Sequence, residues 1–184
     1  MARAFASPPL RSVAPDPYSL LPAVPAFELR SDDVRQGERV PDVHTNTAAG
    51  HNVSPHLAWS GFPEATKSFL VSCFDPDAPG PAGWWHWTLA DVPATVTSLD
   101  RGAGKPDGSG LPPGALQLKG DDGVAGYVGA APPPGDQVHR YFFVVHALDT
   151  DSLGFSADTM PGLANTAVLF HTLARAILVG TYQR

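Results

Sequence analysis

Apolar and polar positions along the chain fall into short runs punctuated by proline and glycine, the pattern of strands joined by turns. Residues 26–30 (AFELR) alternate in polarity and read as a strand. Residues 52–59 (NVSPHLAW) begin as a turn and end as a strand, and 67–74 (KSFLVSCF) form a strand bounded by Pro63 and Pro76. Residues 84–92 (WWHWTLADV) carry the aromatic and β-branched content of a pleated, buried surface and stop at Pro93. A short strand follows at 115–119 (ALQLK). The longest, at 138–148 (VHRYFFVVHAL), is apolar on both faces, which predicts a place at the centre of a sheet. Residues 100–114 and 126–135 are rich in glycine and proline and read as surface loops. Only the C-terminal stretch has a helical period: Ala167, Phe170, Leu173, Ala174, Ile177 and Leu178 recur at 3.6-residue spacing, Asn165 or Thr166 stands at the N-cap, and Gly180 supplies the stop. The predicted class is mainly β, sandwich-like, with a C-terminal helix.

The chain has 184 residues, enough for one domain with its own core. Prolines at positions 8, 9, 15, 17 and 22 make residues 1–24 an irregular arm, ordered where Tyr18 and Leu20 meet a surface, and 25–184 the single domain. The formal charge of −6, with scattered Lys and Arg, excludes the basic footprint of a nucleic-acid binder and argues against adhesion to an anionic membrane. The lone Cys73 precludes an internal disulfide. Prolines break every apolar run near the N-terminus that would serve as a signal peptide. Residues 167–180, interrupted by His171, Thr172 and Arg175, are too short and polar to span a bilayer. A cytoplasmic location is expected.

Three segments hold polar groups that a fold of this kind does not require. The DPDAP loop, 75–79, sets two carboxylates two residues apart between prolines that fix φ; an ordinary turn, with Asp75 capping its own backbone, is the structural alternative. His86, within WWHW at 84–87, is either a satisfied core histidine or a site residue. The loop from Gly129 runs into His139, Arg140 and Tyr141, where strand alternation puts His139 and Tyr141 on one face and Arg140 on the other, paired with a carboxylate there. Asp75 closes one strand, His86 lies on the next, and His139 opens a third. If these strands are neighbours, a carboxylate and two imidazoles converge at one sheet end, and the carboxylate favours the imidazolium form. Amides of Gly129, Ala130 and Ala131 are then candidates to face an anion. Trp84 and Pro79 wall the pocket, and Asp77 remains for a cationic group beside the anion.

These motifs resemble the phosphatidylethanolamine-binding protein family, in its bacterial branch of Raf-kinase-inhibitor-like proteins. The marks are DPDAP at 75–79 followed by WWHW at 84–87, and YVGAAPPPGDQVHRY at 127–141, supported by NVSPHLAWSGFP at 52–63, TLADVP at 88–93 and the closing GTYQR; together they span roughly residues 25–184. The resemblance implies a large antiparallel sheet packed on a smaller one, with a shallow anion pocket at one end. Carried over residue by residue, the implied ligand-binding positions are Asp75, Asp77, Pro79, Trp84, His86, Tyr127, Gly129, Pro132, Pro133, His139 and Tyr141. A cis peptide at Ala78–Pro79 and a homodimer are implied as well. Ala130-Ala131 depart from the family's pattern, and a methyl at Ala131 narrows the approach to the anion.

The function expected from these residues is non-catalytic binding of phosphate, a phosphorylated small molecule or a phospholipid head group such as phosphoethanolamine, with no cofactor and no metal. The motifs offer no serine or cysteine nucleophile apart from Cys73, which the pattern buries. Two alternatives stand beside it. One is an inhibitor or regulator of a protease or kinase acting through protein contacts, its partner unspecified. The other, ranked last, is a metal-dependent hydrolase using the Asp and His residues, for which the short H-x-H or H-x₃-H pairing is missing. His139, at a strand end, is expected to be removable without loss of the fold.

Overall fold

A computed structural model describes residues 12–184. The part of the N-terminal arm before residue 12 lies outside the described residues. Among the described residues, eight strands form two antiparallel sheets. The smaller sheet has the order β1 (Glu28–Arg30), β2 (Leu57–Ser60), β5 (Ser98–Leu99). The larger has the order β6 (Leu116–Gln117), β4 (Trp84–Pro93), β3 (Ser68–Asp75), β7 (His139–Leu148), β8 (Thr172–Tyr182). The three strands expected to carry the site are therefore neighbours, and β3 rather than β7 is the central one.

Continuous apolar runs in β3 and β7 follow from burial of the large sheet on both faces. Its inner face, with Val71, Cys73, Trp87, Leu89, Phe143 and Val145, packs on Leu57 and Trp59 of the small sheet to form the main core. Its outer face, with Leu70, Ala90 and Leu148, is covered by a short helix α1 (Pro161–Ala167) through Ala164 and by the following Val168. The arm covers the same outer face further along. Tyr18, on a short 3-10 turn capped by Asp16, packs against Phe142, His146 and the Arg175 guanidinium, whereas Leu20 is exposed.

The helix expected over residues 167–180 is not there. The only α-helix of the described residues ends at Ala167, a 3-10 turn takes Val168–Phe170, and from Thr172 the stretch forms β8, paired with β7 from His139↔Tyr182 to Leu148↔Thr172. Ala174 and Leu178 fit a period of 3.6 and a period of 2 equally well, and a short apolar run does not separate the two. Tertiary pairing decides. β7 is apolar on both faces and has β3 along one edge, so its other edge needs a partner for its backbone groups. As a strand, the stretch turns Ala174, Ala176, Leu178 and Tyr182 into the core. Gly180 is no helix stop. A Cβ there would come within 2.6 Å of Val40 Cγ2, because residues 37–40 cross this strand and bond to Val179 and Thr181.

Candidate functional site

Strand register gathers the site. Asp75 pairs with Trp84, and the partner positions change by one between Cys73↔Trp87 and Phe74↔Trp85. This bulge turns His86 and Trp87 to the same inner face, where strict alternation would oppose them. Trp87 continues into the core, while His86 stays at the open sheet end against Tyr141, ring centroids 5.2 Å apart.

His139 is 1% exposed and lies between two carboxylates, with Nδ1 2.7 Å from Asp75 Oδ2 and Nε2 3.0 Å from Asp136 Oδ2. Both ring nitrogens face acceptors, so both donate and the ring is an imidazolium. Burial alone would lower its pKa; the two carboxylates outweigh burial and raise it. His86 behaves oppositely. Burial lowers its pKa, only partly offset by Asp75, and its Nδ1 lies 2.7 Å from the Val128 carbonyl. The neutral ring therefore donates from Nδ1 and keeps a lone pair on Nε2, 4.0 Å from Asp75 Oδ2. Asp75 also accepts from the Asp77 amide at 2.8 Å, so the turn-capping role and the histidine contact coexist in one side chain. The Tyr141 hydroxyl is buried next to Asp75 without a hydrogen bond of ordinary geometry, and burial pushes its ionisation well upward.

These groups floor a cleft of about 280 Å³. Asp75, Pro79, Trp84, His86, Gly129, Pro132, Pro133 and Tyr141 line it, as do Asn46, Ala78, Asp122, Val128 and Ala131. Three expected residues do not. His139 stands behind Asp75. Tyr127 is in the core, its hydroxyl donating to the His44 carbonyl at 2.8 Å. Asp77 lies over the outer side of the sheet end. It accepts there from Arg140 Nε at 2.7 Å and Nη2 at 2.9 Å and from the Ala14 amide at 3.2 Å. Burial opposes its ionisation, yet the Arg140 bonds hold its pKa below the usual carboxylate range. Asp77 thus does not face the cleft. Arg140 has the structural role expected of it, and its other Nη2 contact, 2.6 Å to the Ala14 carbonyl, fastens the arm to the sheet end. The Ala78–Pro79 bond is trans, as are all peptide bonds of the described residues.

The Gly129 loop differs from expectation too. The Gly129 amide donates to Asn52 Oδ1 at 2.6 Å, so it is not turned to the cleft, and the Ala130 carbonyl accepts from the Asn46 amide at 3.0 Å. Asn52 holds φ at 55°, a conformation asparagine tolerates. A Cβ on Gly129 would strike the backbone of His44, Thr45 and Asn46. Gly129→Ala is accordingly expected to push this crossing apart, cost about 1–3 kcal/mol, and weaken ligand binding at the cleft wall. Thermal unfolding of the variant checks the first effect and calorimetry the second.

The sequence pattern does not point to Asp136 or Asp122 as site residues. Asp136 stands three residues before His139, a spacing at which a turn brings two side chains together. Asp122 sits in a Gly-rich loop whose neighbour Asp121 accepts from the Trp85 amide at 2.8 Å, and it has no comparable signal. No helix among the described residues is long and apolar enough to cross a membrane.

The model of the family described as phosphatidylethanolamine-binding protein matches residues 30–183. The chain is 43% identical to the UPF0098 protein YbhB of Escherichia coli K12 over 162 residues, covering 85% of this chain and 99% of that one. It is 42% identical to the UPF0098 protein YbcL of the same organism over 161 residues, covering 86% and 88%. The crystal structure of YbcL, described as a new member of the mammalian PEBP family, superposes with a TM-score of 0.83 over 86% of this chain and 98% of that chain. CT736 of Chlamydia trachomatis superposes with a TM-score of 0.73 at 29% identity, with the same coverage.

Proposed function

Since the chain belongs to the phosphatidylethanolamine-binding protein family, we propose that it is a non-catalytic binding protein whose cleft takes a phosphate ester bearing a cationic group, the chemistry of phosphoethanolamine. The observation that carries this reading is the pairing, in one cleft, of the His86 Nε2 lone pair and the Tyr141 hydroxyl with a second carboxylate, Asp122. A phosphate brought to the floor receives a hydrogen bond from Tyr141 and, once His86 takes up a proton, a charge-assisted one from Nε2. His139, 2.7 Å behind Asp75, offsets part of the charge of that carboxylate. Asp122 offers the ammonium its counter-charge, the part expected of Asp77.

Among the described residues, no Ser, Thr, Cys or Lys lines the cleft, and His139 has carboxylates on both nitrogens.

Calorimetry with phosphoethanolamine, inorganic phosphate and ethanolamine tests the reading. Phosphoethanolamine is expected to bind more tightly than phosphate by up to about fivefold, the worth of an exposed charge pair of roughly 0.2–1 kcal/mol, and Asp122→Asn to remove that margin. Vesicles containing phosphatidylethanolamine, run beside the soluble ester, distinguish a lipid head group from a free ester. Absence of binding by all three soluble compounds at millimolar concentration overturns the proposal.

A further inference from the structure

On the opposite face of the large sheet, away from the cleft, the arm, the sheet and the segment after α1 line a second pocket of about 220 Å³, half open to solvent. Its walls are apolar and aromatic: Tyr18, Phe74, Trp85 and Leu169, with the Phe74 and Trp85 rings 4.3 Å apart. The buried Tyr18 hydroxyl, which has no partner of ordinary geometry, and two hydrogen-bond acceptors interrupt that lining. Asn165 is 8% exposed, and its Nδ2 is committed to the Pro161 carbonyl at 2.9 Å and to Thr88 Oγ1 at 3.2 Å. Its Oδ1 is buried with no partner. His146, also in the wall, is fixed in one tautomer. Thr172 Oγ1 gives its own hydrogen to the Val168 carbonyl at 2.8 Å, so at the 3.0 Å contact with His146 it can only accept. Nδ1 therefore carries the ring's hydrogen and Nε2 the lone pair. Burial pushes the His146 pKa down to about 3, with the Arg175 charge adding to the effect, so the ring does not gain a second hydrogen near neutral pH.

A buried acceptor with no donor costs about 1–3 kcal/mol, and a donor brought by a ligand recovers it. The volume suits one ring lying partly open to solvent: an apolar cavity of about 150 Å³ admits benzene. We propose that this cavity is a binding site for a small aromatic molecule bearing one O–H or N–H donor, of the size and chemistry of phenol, with the ring between Tyr18 and Trp85 and the donor on Asn165 Oδ1 or His146 Nε2. The site is independent of the cleft, since Trp84 and Trp85, adjacent in β4, belong to different cavities on opposite faces.

The test is an NMR titration of the full chain with phenol and with toluene. Toluene is the more apolar, so a merely greasy cavity takes it more tightly; a cavity with unsatisfied acceptors reverses the order. Phenol is expected to shift the Trp85 indole and Asn165 side-chain amide resonances saturably, to leave Trp84 untouched, and to bind at least about tenfold more tightly than toluene. Nuclear Overhauser contacts from phenol ring protons to Leu169 methyls place it without any variant. Leu169→Trp, which fills the cavity from a half-buried wall position, is expected to abolish binding of phenol and leave phosphoethanolamine binding at wild-type strength. Unsaturable shifts up to tens of millimolar phenol, toluene binding as tightly as phenol, or ring contacts outside this cavity would each overturn the assignment.

Discussion

Replacing His139 by alanine is expected to destabilise the protein by about 3–5 kcal/mol, the cost of stripping one member from a buried charge cluster. Asp75 and Asp136 are nearly inaccessible, and in the variant they face a cavity with two negative charges and no cation between them. For a chain of this size the loss corresponds to a fall of roughly 6–20 °C in Tm, read by thermal unfolding. The dependence on pH has a definite sign. His139 has a raised pKa in the folded protein, so its stabilisation is fully present below the unfolded value of about 6.5 and is lost as pH rises through the folded value. Wild type and variant should therefore differ most at pH 6 and converge as alkali is approached. A difference below 1 kcal/mol at pH 6 would show that the carboxylates need no imidazolium. A destabilisation of this size, larger than a strand-end position alone suggests, follows from what the strand end touches: the chain folds back at Asp136, whose carboxylate reaches His139 from a loop.

That contrast shows where the sequence speaks and where it does not. β3, β4 and β7 are legible because long apolar runs bounded by proline admit few other readings, and their adjacency brings Asp75, His86 and His139 to one end of the sheet as expected. β8 is not legible, because its alanines and leucines serve a helix and a strand alike until β7 demands a partner. The two aspartates of DPDAP look equivalent at a spacing of two, but alternation governs only extended chain. Pro76 begins a turn, and Asp77 is carried over the sheet end to Arg140 while Asp75 remains inside. The bulge that keeps His86 on the same face as Trp87 is a property of pairing with β3 and leaves no mark in the composition of either strand. Tyr127 and Gly129 owe their positions to close crossings with residues 44–46, contacts between segments more than 80 residues apart that a linear reading does not reveal.

Ligand binding at the cleft should become weaker as pH rises, and the proton on His86 is the reason. In the free protein burial holds that ring neutral, with Nδ1 donating to Val128 and Nε2 bare. A bound phosphate facing Nε2 stabilises the imidazolium, so binding and protonation are linked: above the lowered pKa of the free ring, affinity falls by up to tenfold, about 1.4 kcal/mol, for each pH unit. Phosphate monoesters lose their second proton near pH 6. Measurements from pH 7.5 to 8.5 therefore see the ligand in one charge state, and any remaining slope belongs to the protein. Calorimetry of phosphoethanolamine in buffers of different ionisation enthalpy should count close to one proton taken up per ligand in that window. His86→Gln, which keeps a polar side chain but cannot gain a proton, should bind more weakly at pH 7.5 and lose the slope. The variant also separates the two imidazoles. A slope that persists without His86 points to His139, the other imidazole at this sheet end, whose pKa is raised, and would move the origin of the pH dependence from the cleft floor to the carboxylate cluster behind it.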